Sequence, residues 1–125
     1  MSERARSGWP YLAVRGWMSN LWQGITERLD ILDAATREIR HRGREYAEAE
    51  AAYRQALAIK LLELRGLGIP VTICPDLARG DEEVAALKVA RDCAEASYKS
   101  VLEGIQVNKL RLKILEAQYD REWRG

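Results

Sequence analysis

The chain has 125 residues, 47% of them apolar and 31% charged, and its 20 basic and 19 acidic side chains leave a net charge of +1. That length with this much apolar material excludes wholesale disorder, no run approaches the roughly 18 apolar residues of a membrane span, and the near-neutral balance argues against a globally basic nucleic-acid coat. One His and two Cys leave little for a metal or catalytic constellation. With no phosphate-binding loop, dinucleotide turn or metal spacing, the expectation is no enzyme, no cofactor and no metal site. Phe is absent while Ala, Leu, Glu and Arg dominate, which is a helix-forming composition and predicts an all-α fold.

In chain order, Met1 to Arg15 does not read as a secretory signal, because the apolar stretch from Tyr11 to Val14 is short and ends at Arg15. Residues 1–17 are read as an N-terminal extension or arm, ahead of a helical domain over 18–125. Met18-Ser19-Asn20 offers both an alternative translation start and an N-cap. The arm carries Trp9, Tyr11 and Trp17, of which Trp9 and Trp17 are candidates for stacking on bases.

The first helix is predicted over about 20–65. Alternating steps of three and four from Trp22 meet Ile25, Leu29, Leu32, Thr36, Ile39, Gly43, Tyr46, Glu50, Tyr53, Leu57, Lys60 and Leu64, a coiled-coil seam interrupted at Thr36, Gly43, Glu50 and Lys60. Gly66 offers a stop, and Gly68 with Pro70 prevents continuation. Residues 66–80 are then expected to form a short apolar loop, with Val71 and Ile73 alternating as an extended piece. Such a piece packs either on another subunit or back over the tip of the helices.

A second helix is predicted over about 81–123. Gly80-Asp81-Glu82-Glu83 places an N-cap candidate and two acids where the helix dipole favours negative charge. Its seam runs through Val84, Leu87, Arg91, Ala94, Tyr98, Val101, Ile105, Asn108, Leu112, Leu115, Tyr119 and Glu122, with Arg91, Asn108 and Glu122 as the polar members. The expected fold is a long antiparallel two-helix coiled-coil hairpin that assembles as an oligomer. With Leu64 level with Val84, Trp123 meets Trp22 and Ile25 at the open end, Asn108 meets Arg40 beside Gly43, and Lys60 meets Lys88.

Charge then concentrates at mid-rod. Arg37, Arg40, Arg42 and Arg44, with His41 among them, face Lys109, Arg111 and Lys113 across the expected hairpin. Such a belt suits the phosphate backbone of a nucleic acid, and the alternative is a solvated face paired with acids or neighbouring chains. Trp22 and Trp123 at one end, and Val71 and Ile73 at the other, are the candidate oligomer or partner contacts. Glu48 and Glu50 lie close together without a His or Cys, so acid–base chemistry has no support. Cys74 and Cys93 are expected as two reduced thiols.

Three phrases carry a resemblance: Ala51-Ala52-Tyr53-Arg54-Gln55-Ala56-Leu57; Leu62-Glu63-Leu64-Arg65 followed by Gly68-Ile69-Pro70; and Asp76-Leu77-Ala78-Arg79-Gly80-Asp81-Glu82-Glu83-Val84. These look like small helical proteins of bacteriophages and prophages, and the layout of long helix, loop and long helix resembles the UvsY recombination mediator family. The resemblance implies a homo-oligomer in the bacterial host cytoplasm that binds single-stranded DNA, with a recombinase or single-strand-binding protein as partner. That family has an Ala-Leu-Lys-x-Arg-Leu phrase whose two cations contact the strand. The corresponding phrase here is Ala56-Leu57-Ala58-Ile59-Lys60-Leu61, so Lys60 matches the second cation and Ala58 replaces the first. A structural or adaptor coiled coil acting only through protein contacts is the other expected class.

Overall fold

The computed structural model describes the backbone of residues 3–124 and the side chains of residues 16–124. Three helices follow one another: α1 over Glu3–Gly66, α2 over Cys74–Gly80 and α3 over Glu82–Arg124. Among the described residues there is no strand. Contacts group the chain into two compact units, one of Met1–Thr36 with Glu103–Gly125 and one of Arg37–Leu102. They are called here the terminal unit and the central unit.

α1 starts at Glu3 rather than near residue 20, so residues 3–17 belong to the helix and Ser19 and Asn20 are interior positions instead of caps. Gly16 is the sole weak helix former between Val14 and Met18, and one glycine costs a helix only about 1 kcal/mol. The side chains of Trp9 and Tyr11 lie outside the described residues.

α1 ends where the sequence suggests, by a mechanism that can be read atom by atom. The Ile69 amide donates to the Leu64 carbonyl at 3.2 Å and the Gly68 amide to the Arg65 carbonyl at 3.0 Å. This crossed pair satisfies the last carbonyls of the helix, and it requires a left-handed residue at the turn. Gly68 supplies it with φ of 82°.

The stretch over Val71–Ile73 is turn, not extended chain, and α2 follows it. The Ile73 and Cys74 amides both donate to the Pro70 carbonyl, at 3.1 and 3.2 Å, which winds the chain into a helical turn. Pro75 then sits in the first turn of α2, where a missing amide hydrogen costs nothing. Cys74 and Ala78 bury the inner side of α2.

α3 begins on Asp81, as its sequence predicts. The Asp81 carboxylate accepts from the Val84 amide at 3.3 Å, and its carbonyl accepts from the Ala85 amide at 2.8 Å. From Val84 to Tyr119 every predicted seam position is buried or half-buried, and Glu122 is exposed. On α1 ten of the thirteen predicted seam positions turn inward: Ile25, Leu32, Ile39, Gly43, Tyr46, Glu50, Tyr53, Leu57, Lys60 and Leu64. In the terminal unit the other three give way to residues one position earlier, Leu21, Arg28 and Ala35, and Trp22, Leu29 and Thr36 are exposed.

In both units rising numbers on α1 meet falling numbers on α3. The terminal unit pairs Trp22 with Tyr119, the position of Gly24 with Leu115, and Arg28 with Asn108. The central unit pairs Tyr46 with Tyr98, Tyr53 with Arg91, and Lys60 with Asp81. The partners on α3 lie one to two helical turns earlier than the expected register in the central unit and two to three turns earlier in the terminal unit. Lys60 therefore meets Asp81 rather than Lys88, and Asn108 meets Arg28 rather than Arg40. The physical reason is α2, whose seven residues take up the connection against the end of α1, so that α3 starts lower than a plain loop would place it.

Candidate nucleic-acid and partner interfaces

The polar members of the two seams find each other. Arg91 reaches Glu50 at 3.6 Å and lies over the Tyr53 ring at 4.8 Å from its centroid, while Asp92 accepts from it at 2.9 Å. The Asp92 carboxylate and burial act in opposite directions on Arg91, and the net effect raises its pKa. Lys60 joins Asp81 at 3.3 Å and Glu63 at 3.6 Å. Its hydrogen bond to Asp81 raises the Lys60 pKa, and the Val84 amide, with Lys60 behind it, lowers that of Asp81. Gly43 faces the Tyr98 ring, 3.4 Å from where a Cβ would stand. In the terminal unit the Arg28 guanidinium donates to the Asn108 side-chain oxygen at 3.0 Å, and the Asn108 amide donates to the Gly104 carbonyl at 2.9 Å.

These pairings divide the predicted cations. Lys60 spends its charge on two carboxylates. Arg42 does the same, with Glu38 at 2.8 Å and Glu45 at 3.3 Å, and His41 lies 3.0 Å from Glu45. Arg37, Arg40 and Arg44 are exposed in the central unit, with no carboxylate within 4 Å among the described residues. Their spacing of three and four puts them in one stripe on α1. Lys109, Arg111 and Lys113 are likewise exposed and unpaired among the described residues, but they belong to the terminal unit.

Of the expected partner contacts, Trp22 and Trp123 sit in the terminal unit, 59% and 74% exposed. Tyr119 links them, 6.0 Å from Trp22 in a tilted arrangement and 6.4 Å from Trp123 in a stacked one. Val71 and Ile73 are exposed in the turn before α2. Beside them Leu61, Leu62, Arg65, Val71, Cys74 and Pro75 line an open apolar groove of about 460 Å³. A larger groove of about 830 Å³ runs past Gln55, Lys60, Glu63 and Asp81, where the charges are already paired.

One further apolar surface was half visible in the sequence. On α3 of the terminal unit, Val107, Leu110 and Ile114 are all exposed, the last two 61% and 65%. Their spacing makes a stripe on the side of α3 opposite to its seam. In the sequence Leu61, Leu62, Leu102, Leu110 and Ile114 are all apolar positions beyond one seam, whereas Val107 joins the last two only once the seam is known.

Among the described residues no group of three His, Cys, Asp or Glu side chains could hold a metal ion, and no helix is long and apolar enough to cross a membrane. Both cysteines are free, Cys74 buried and Cys93 exposed. No protein-family model matches the chain, and neither a curated protein nor a solved structure shows significant similarity to it.

Proposed function

We propose that this protein is a non-enzymatic assembly factor, an antiparallel coiled-coil hairpin that associates with further copies of itself and works through protein contacts. The observation that carries this reading is the second apolar stripe of α3, Val107, Leu110 and Ile114, exposed opposite a seam that is already occupied. Among the described residues few side chains are buried, Leu21, Ile25, Tyr53 and Val84 being the large ones on the long helices. A helix with two apolar faces gains burial when a further helix covers the second one. Sedimentation velocity at tens of micromolar tests this. Species heavier than the 14.2 kDa chain are expected, and a clean monomer throughout overturns the reading.

A second reading has its own observation, the unpaired stripe of Arg37, Arg40 and Arg44. An exposed row of guanidinium groups suits the phosphates of a single strand, in line with a recombination-mediator-like accessory role beside a recombinase or single-strand-binding protein in a phage-infected cytoplasm. Three phosphate contacts give a log–log salt slope of about −2 for a single strand. Retention of a labelled oligonucleotide on a filter should fall steeply when all three arginines become Ala, across all sequences alike. Lys60→Ala and Arg42→Ala should leave it unchanged, because those cations already face carboxylates. Absence of retention by the unaltered protein at low salt removes this reading and leaves the first intact.

A further inference from the structure

Over residues 107–114 the outward side of α3 is cationic, with the exposed acids Glu103 and Glu116 just beyond it, and over residues 27–33 the outward side of α1 is acidic. On α3 the stripe Val107, Leu110 and Ile114 is flanked by Lys109 and Lys113 on one side and Arg111 on the other, all exposed. On α1 the side away from the seam carries Glu27, Asp30 and Asp33, with Ala34 among them, Ile31 at their edge and Arg37 one turn beyond Asp33, all exposed. None of Lys109, Arg111, Lys113, Glu27, Asp30 and Asp33 has an ionic partner within 4 Å among the described residues. The neighbouring Arg28 turns inward to Asn108 and does not neutralise the acidic face.

Both faces point away from the α1–α3 seam, on opposite sides of the helix pair, so one unit cannot bring them together. We propose that a second copy of this chain docks its Glu27, Asp30 and Asp33 face on the Val107, Leu110 and Ile114 stripe, with its carboxylates meeting Lys109, Arg111 and Lys113. This rests on the self-assembly proposed above and names the surfaces that perform it. Leu110 and Ile114 supply the bulk, Ala34 leaves room on the opposing helix, and Ile31 adds apolar area. Apolar side chains at the centre with charges at the rim are the usual anatomy of a protein contact, and the complementary charges fix which face meets which. The contact joins unlike faces, so each copy has one of each to offer. It also assigns Lys109, Arg111 and Lys113 to protein, separating them from the arginine stripe of the central unit.

A charge swap tests the proposal in the full-length chain by sedimentation velocity. Lys109→Glu with Lys113→Glu makes both faces acidic, and Asp30→Lys with Asp33→Lys makes both basic. Each variant is expected to associate at least tenfold more weakly than the unaltered protein, while an equimolar mixture of the two regains association, since the acidified α3 of one now meets the basic α1 of the other. All four positions are exposed, so circular dichroism should show unchanged helix content. Leu110→Gln, which alters no charge, should also weaken association. If the unaltered protein associates and the variants associate equally well, the contact lies elsewhere, and this inference fails while self-assembly stands. Folded variants whose mixture stays dissociated overturn it too. A monomeric unaltered protein defeats both proposals. If the lysine variants lose oligonucleotide retention at unchanged mass, the α3 face belongs to nucleic acid and the inference is wrong.

Discussion

The central and terminal units are built from the same two helices, yet they close their seams differently. In the central unit each polar seam residue has a counterpart: Glu50 with Arg91, Lys60 with Asp81, and Gly43 with the Tyr98 ring. α2 adds a third packing element there, with Cys74 and Ala78 buried. The terminal unit has Leu21 and Ile25 buried and, among the described residues, the Arg28–Asn108 bond across its seam, while large apolar side chains stand exposed in both units, Leu110 and Ile114 in this one and Leu62 and Leu67 in the other. Partnered polar residues specify one register at little cost, whereas an unpartnered apolar face raises the energy of the isolated unit. The two units thus differ in how the polar residues of their seams are partnered, while each leaves apolar side chains uncovered.

The largest expected effect tests that contrast directly. Tyr53 is buried to 8% exposure and carries Arg91 on its ring, so Tyr53→Ala should cost about 3 kcal/mol, read as a lower urea midpoint. Ile25→Ala should cost about 2 kcal/mol, at the low end of its class, because its exposed neighbours Trp22 and Leu29 can settle into the space. A larger loss at Ile25 than at Tyr53 would break the comparison. Next in size, Gly68→Ala should destabilise by about 1 kcal/mol or more, since alanine is strained at φ of 82°. In the opposite direction, Gly104→Ala should raise stability by about 0.5–1 kcal/mol, because a Cβ there meets nothing within 4 Å. Melting temperatures by circular dichroism read both.

The smallest expected effect follows from the pair that closes the central unit. The pKa of Asp81 is lowered by folding, so its contribution is present above about pH 4 and fades as pH falls through the lower folded value. The pKa of Lys60 is raised, so its contribution is present below about pH 10.4 and fades as pH rises through the higher folded value. Asp81→Asn should therefore lower the melting temperature near neutrality, with a difference from the unaltered protein that shrinks towards pH 2. A difference that stays constant down to pH 2 would show that the carboxylate charge plays no part.

The legible parts of the fold are those where one pattern admits one answer. The α3 seam is such a case, since the apolar and half-buried positions from Val84 to Tyr119 leave no second alternation to choose. On α1 the expected alternation holds from Ile39 to Leu64, whereas in the terminal unit a second alternation shares Ile25 and Leu32 and takes Leu21, Arg28 and Ala35 where the bulk of Trp22 favours the first. α2 was hidden because Pro70 and Pro75 read as breakers, although a proline fits a first turn. Register was out of reach, as the length of a connection does not say where the chain re-enters. It was nevertheless foreshadowed in the seam interruptions, because Glu50 and Arg91 have opposite charge, as do Lys60 and the cap Asp81. The basic belt was overcounted for a similar reason: Glu38, four before Arg42, is visible as one opposing acid, but Glu45 also pairs with both Arg42 and His41. The acidic face of Glu27, Asp30 and Asp33 gained meaning only when the opposite side of α3 proved to be apolar and cationic.

Cys74 opens α2 on its buried side, with 1% of its surface exposed and its thiol 3.5 Å from the Ile69 carbonyl, while Cys93 stands open on α3. The chain thus carries a built-in clock and its own reference. An excess of a thiol reagent would label Cys93 at the pace of a free thiol in solution, and Cys74 only as often as α2 lifts away from the end of α1. The ratio of the two rates measures the free energy of that local opening without added probes, at any salt, pH or protein concentration chosen.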